Sequence, residues 1–246
     1  MKHNNNVRLL AVLTDAETDE KSEYRFLVDG AHVRYVTLDG GLVPQKTAHM
    51  NPSSSLNSPS FPQETGTRAV SGKTAIQENL SSLKQLDRVR QTVFRVTHPS
   101  FKKPVLAKFA QFPWEIPYFA AETTSYEWIH GRGIGPAFLG HIHENGRVIG
   151  FLVEEVRGAR TAEPEDLAAC QHSLRKLHEL GILHGDINKH NFLIGADGEA
   201  VLVDFETAHK CSDPELLDEE YRHIKDRLED TSGRGGAGMA SDSSSD

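Results

Sequence analysis

The feature that most limits what this chain can become is residues 183–194, LHGDINKHNFLI, followed at 201–206 by VLVDFE. A polar, glycine-containing run separates two apolar stretches, and Asp204 then sits in a strand-like apolar run. Burying the apolar flanks holds the polar run at the rim of a core, where loops carry chemistry. Asp197-Gly198 marks a hairpin turn within NFLIGADGEAVLVDF. Asp186 and Asn191 therefore fall at one end of a hairpin and Asp204 at the other.

The rest of the chain sets bounds on that chemistry. Its 246 residues are enough for one mid-sized domain with additions, or two small ones. Apolar residues at 37% and charged residues at 25% are ordinary for a soluble globular protein. A net charge of −8 does not suggest a nucleic-acid-binding surface. No apolar stretch approaches the roughly 20 residues needed to span a bilayer, so a membrane partner is not expected. The N-terminus has acidic flanks and no small-residue cleavage site, unlike a signal peptide. Cys170 and Cys211 have no metal-type spacing and fit free thiols in a reducing compartment. The expected location is cytoplasmic, with a nuclear one as the lesser alternative.

Composition divides the chain. Residues 1–47 read as a small β-rich unit, with VRLLAVL as an apolar run and EYRFLV and HVRYVTL flanking the turn signal Asp29-Gly30. Residues 48–77 read as a linker, since Ser, Pro and Asn take 10 of 13 positions at 51–63. Residues 231–246 read as a disordered tail, with Ser and Gly at 9 of 16 positions. The compact domain is then 78–230.

Within it, QTVFRVTH and KPVLAKFA predict two strands joined at Pro99-Ser100, and IPYFAAETTSYEWIHG predicts a helix ending at Gly131. GPAFLGHIHENGRVIGFLVEEV predicts a hairpin about Asn145-Gly146. EPEDLAACQHSLRKLHELG predicts a second helix, opened by Pro164 and stopped at Gly181, with Leu167, Cys170, Leu174 and Leu177 as its apolar stripe. His141 and His143 share a strand face with Glu144 nearby, an arrangement that suits a solvated face better than a metal site.

Phosphoryl transfer from ATP requires a carboxylate at the acceptor hydroxyl and oxygen ligands for magnesium, donor types that Asp186, Asn191 and Asp204 could supply from the two ends of one hairpin. A cation for the phosphates is also needed, and Lys108 stands mid-strand in an apolar run. A buried lysine is costly unless paired. Glu122 on the following helix is the expected partner, with Glu127 on the same helix as a substitute.

HGD-x4-N followed by DFE, with VLAK and a helix glutamate upstream, resembles the protein-kinase-like phosphotransferase superfamily over roughly residues 84–210. The His-Gly-Asp form is closer to the aminoglycoside/choline-kinase branch and small atypical kinases, and is similar to uncharacterised fungal kinase-like proteins. The resemblance implies an α+β, protein-kinase-like two-lobed fold with a β-rich N-lobe, a minimal helical C-lobe and an N-terminal β appendage. It implies Asp186 as the catalytic aspartate, Asn191 and Asp204 as magnesium ligands, and Lys108, oriented by Glu122, on the α/β-phosphates. It places adenine against the backbone of Glu154, Glu155 and Val156. ATP and Mg2+ are the implied cofactors, and the acceptor is a hydroxyl on a protein or small molecule.

Four departures qualify the pattern. No glycine occurs between Leu83 and Val96, where a phosphate loop is expected, leaving Arg88 or Arg90 as side-chain substitutes. Glu206 follows the metal aspartate and Phe205 where glycine is usual. No APE-like segment follows. After Asp204 only DPELLDEEYRHIKDRLED reads as helix. These departures motivate an alternative: a pseudokinase serving as a nucleotide-sensing or protein-interaction module.

Overall fold

The computed structural model describes residues 6–13, 21–30, 32–39, 76–90 and 92–232. The Ser/Pro/Asn-rich run at 51–63 and the tail from 233 onward lie outside the described residues.

Three strands come first: β1 Val7–Leu13, β2 Ser22–Val28 and β3 His32–Leu38, an antiparallel meander in the order β1-β2-β3. Asp29 and Gly30 both take positive φ, +53° and +68°, the mirror-image turn that matches strand twist. The apolar run of β1 does not build a core of its own, because Leu9, Val12 and Leu13 are exposed.

The next strands are β4 Ile76–Asn79, β5 Lys84–Arg90, β6 Val93–Thr97 and β7 Val105–Phe109. Helix α1, Ile116–Trp128, leads to β8 Phe138–Glu144 and β9 Arg147–Val153. β4 to β9 form one six-stranded sheet in the order β4-β8-β9-β7-β6-β5, antiparallel except for the β4–β8 pair. The alternation in VLAKF sends Val105, Ala107 and Phe109 to one face, where they pack with Phe94, Ile142 and Leu152. Leu106 and Lys108 go to the other face. Phe119 and Tyr126 of α1 belong to that side's core with Phe151, Phe192 and Phe205.

The remaining elements are β10 Arg160–Thr161, α2 Leu167–His178, β11 Ile182–Leu183, β12 Phe192–Ile194, β13 Ala200–Leu202, β14 His209–Lys210 and α3 Pro214–Glu229. Cys170, Leu174 and Leu177 of α2 are fully buried, and Gly181 ends the helical stretch with φ +64°. Asp213 caps α3 by accepting from the Glu215 amide at 2.9 Å, and Glu220, Ile224 and Leu228 form its buried stripe. Both cysteines are free and buried.

The N-terminal sheet is fastened to the larger one by polar contacts. Arg25, 2% exposed, pairs with Glu144, 4% exposed. Tyr35 Oη donates to Glu144 at 2.9 Å, and Trp114 Nε1 donates to Glu23 at 2.6 Å. This corrects the expectation of a solvated face at His141 and His143. His141 is buried against Phe138, and the Glu144 carboxylate serves Arg25 and Tyr35. Alternation alone gave no sign that a second sheet would cover this edge.

Candidate active site

In α1 the buried residues Phe119, Glu122, Thr123 and Tyr126 recur at helical spacing, so a carboxylate stands within an otherwise largely apolar stripe. Opposite it, the pleat of β7 turns Lys108 toward α1. The Lys108 ammonium lies 2.7 Å from Glu122 Oε2 and 2.5 Å from Asp204 Oδ1. Glu127 is exposed and takes no part. Burial alone would lower the pKa of Lys108, but Glu122 and Asp204 together raise it above its ordinary value. Burial also opposes the charge on Asp204, yet Lys108, helped by Arg90, holds its carboxyl below the usual range.

Asp204 has φ +67° and ψ +60°, a left-handed conformation unusual for a residue other than glycine. Such strain concentrates at functional sites. It turns the chain out of β13 into the single turn Phe205–Thr207, whose Phe205 is fully buried. Glu206 keeps an exposed surface, but partial desolvation of its carboxyl at the site and the neighbouring Asp204 push its pKa up.

The 184–191 loop is held from behind. His184 is fully buried; its Nε2 bonds the Val203 carbonyl at 3.2 Å and its Nδ1 accepts from the Asp186 amide at 3.3 Å. One nitrogen donating and one accepting describes a neutral imidazole, consistent with a pKa lowered by burial. Gly185 has φ +82°, and a Cβ there would come within 3.0 Å of the Thr207 carbonyl. The glycine of His-Gly-Asp is therefore a steric requirement of this loop.

Glu220, which sequence reasoning missed, anchors the same loop. Its carboxylate accepts from the amides of Gly185 at 2.6 Å and His184 at 3.1 Å, and bonds His178 at 2.7 Å. Burial would raise its pKa, but these bonds bring it below the ordinary value. One signal was available: Glu220 lies at i, i+4, i+8 with Ile224 and Leu228, on the apolar side of α3.

Asp186 is exposed, and its carboxylate is oriented by two amides. Asn188 Nδ2 donates to Oδ2 at 2.9 Å, and Asn191 Nδ2 donates to the same oxygen at 3.1 Å and to the Asp186 carbonyl at 2.9 Å. Among the described residues neither amide bonds Oδ1. Asn191 is 1% exposed, and with its Nδ2 committed to Asp186 its Oδ1 is the atom it offers to a cation. The Val203 amide donates to the Asn191 carbonyl at 3.0 Å, tying the loop to the strand that delivers Asp204. Among the described residues no three His, Cys, Asp or Glu side chains converge as a metal site. An Asp–Asn pair still fits magnesium, which keeps waters and takes phosphate oxygens.

Residues 154–156 follow β9. The Glu154 amide donates to the Ala137 carbonyl at 2.9 Å, and Glu155 pairs with Arg95 at 2.7 Å. A cavity of about 510 Å³ borders this segment, between Ile129, Gly135 and Val201, and its walls include none of Lys108, Asp186, Asn191 or Asp204. The structure thus brings Lys108, Glu122 and Asp204 into one cluster and Asp186 and Asn191 into another, joined through the 191–203 backbone bond. Glu154, Glu155 and Val156 form a separate edge.

The sequence profile of the lipopolysaccharide kinase (Kdo/WaaP) family matches residues 154–220, from the segment after β9 into α3. No curated protein matches the chain. The match covers about a quarter of the residues and does not single out the aminoglycoside/choline-kinase branch or fungal relatives. Over the stretch that carries Asp186, Asn191, Asp204 and Glu220, the chain is similar to a kinase family.

Proposed function

We propose that this protein is a Mg2+-ATP-dependent phosphotransferase of two-lobed, protein-kinase-like architecture that phosphorylates a hydroxyl group. One observation carries the reading: a lysine on the third strand of the β5–β6–β7 meander pairs with a helix glutamate and with Asp204, and a backbone bond from Val203 ties that aspartate's segment to the Asp186–Asn191 loop. Kinases use this division of labour. Lys108, held by Glu122, binds the α/β-phosphates. Asn191 Oδ1 and Asp204 are the ligands that would hold magnesium, which supplies neutralisation of phosphate charge. Asp186 accepts the proton of the attacking hydroxyl through Oδ1, while Asn188 and Asn191 fix Oδ2. The adenine meets the Glu154 carbonyl and the Val156 amide, since the Glu154 amide is already spent on Ala137.

The family match favours a small-molecule acceptor of the sugar or polyol class over a protein side chain. A nucleotide-sensing module without turnover has no support from the match. Among the described residues, no helix is long and apolar enough to cross a membrane. The free, buried thiols Cys170 and Cys211 suit a reducing, cytoplasmic setting.

The test is transfer of labelled γ-phosphate from ATP to water and to a panel of sugars, polyols and protein acceptors, in wild type and Asp186→Asn. A base-type role predicts a loss of about 10²–10⁴-fold in turnover. Equal rates in the two proteins would sink the enzymatic reading.

A further inference from the structure

The β5–β6 hairpin lies where a nucleotide's phosphates would be roofed, yet it has arginines and no glycine. We infer that Arg90 is a phosphate-binding residue, supplying by its guanidinium the contact that glycine-loop amides would otherwise give. This rests on the Mg2+-ATP reading above.

Arg88 and Arg90 are two apart on one strand, so simple alternation would place both on the same face. The register separates them. Arg88 stands opposite Phe94 and Arg90 opposite Val93, with a slip between them that leaves Val89 as an extra residue. Phe94 pairs with Ala107 and belongs to the core on the far face of the sheet. The Arg88 guanidinium lies 5.8 Å over the Phe94 ring, on that far side. Val93 stands opposite Lys108, so Arg90, Val93 and Lys108 form a row across three strands on the face turned toward Asp204.

Arg90 reaches across the cleft from that row. Its Nη2 donates to the His190 carbonyl at 3.1 Å, one residue before Asn191. Two cations therefore reach the cleft from different strands, Lys108 at Asp204 and Arg90 at the residue before Asn191. A triphosphate is the ligand class that such a row matches, because a guanidinium fork grips phosphate oxygens through paired donors. The present partner of Arg90 is a neutral carbonyl. A phosphate oxygen gives a charge-assisted bond about twice as strong, so a nucleotide competes well for the same fork.

The experiment is calorimetric titration of the full chain with Mg2+-ATP and with AMP, for wild type, Arg90→Met and Arg90→Lys. Met keeps the length and apolar stem of the side chain without its charge. Arg90→Met should weaken Mg2+-ATP by about tenfold or more and leave AMP within about twofold, with Arg90→Lys between. A parallel loss for ATP and AMP makes Arg90 a strut of the hairpin and overturns the inference. So do unchanged affinities in a variant of a wild type that binds ATP. A wild type that binds neither ligand overturns the Mg2+-ATP reading itself, and this inference with it.

Discussion

Lys108 and Asp204, 96 residues apart in sequence, meet at 2.5 Å, and the same ammonium lies 2.7 Å from Glu122. Two carboxylates thus share one cation in a site where Glu122 is 2% exposed. In low-polarity surroundings neither carboxylate is comfortable alone, so the lysine couples the strand, the helix and the Asp204 turn into one electrostatic unit.

Lys108→Met should therefore cost stability as well as activity. Removing one partner of a buried pair leaves an uncompensated charge, worth about 3–5 kcal/mol. Urea unfolding should show the loss, and adding Glu122→Leu should recover much of it because the orphaned carboxylate goes too. Turnover should stay abolished in both variants. Full stability in Lys108→Met would mean that Glu122 is not held as a charged partner.

Glu220→Gln should slow turnover while leaving ATP affinity nearly intact, because Glu220 holds the backbone beneath Asp186 and touches no phosphate ligand. Hydrogen bonds to a charged group contribute about 1.5–3 kcal/mol, and a comparable loss of stability is expected. The pH dependence supplies a second readout. The folded pKa of Glu220 lies below the ordinary value of about 4.3, so its contribution is complete above that pH. It is lost as pH falls through the folded value, because the unfolded chain takes up the proton first. Melts between pH 6 and 3 should show a shallower acid decline for Glu220→Gln than for wild type.

Much of this site was legible because its chemistry is costly anywhere else. A lysine in the middle of VLAKF and a glutamate between Phe119 and Tyr126 are each expensive alone, so each pointed to the other. The Asp29-Gly30 and Asn145-Gly146 turns followed from the positive φ that both structures require. Glu220 escaped because an acidic helix end reads as a solvated face, and nothing local says that one carboxylate turns inward to cap a loop 35 residues back. The separation of Arg88 from Arg90 escaped for a similar reason, since a bulge is a property of two paired strands. The burial of Glu144 depended on a sheet more than 100 residues earlier in the chain.

The union of the two sheets rests on that earlier segment. Arg25→Met should destabilise the chain by about 3 kcal/mol, leaving buried Glu144 with only its longer ion pairing to Arg147 at 3.9 Å. Arg25→Met with Glu144→Leu should fare better than the single variant. Burial, seconded by Glu144, pushes the Tyr35 hydroxyl up to about 12. Burial raises the Tyr126 hydroxyl as well, so ultraviolet titration should find Tyr35 and Tyr126 both ionising late, and Glu144→Leu should bring only the Tyr35 step back toward about 10. A late step that Glu144→Leu leaves unchanged, with Tyr35 titrating in the ordinary range, would contradict the docking described.

The most direct test of a metal–nucleotide site is a thermal melt with ATP, in magnesium or in EDTA, on wild type and Asp204→Ala. Saturating ligand at about 100 times its Kd stabilises a fold by about 2.7 kcal/mol, a shift easily read. Wild type should be stabilised by ATP with magnesium and much less with EDTA, and Asp204→Ala should lose the magnesium-dependent part while keeping its own cooperative transition. Equal shifts in the two proteins, or no shift in wild type, would contradict a site built on Asp204, Asn191 and Lys108.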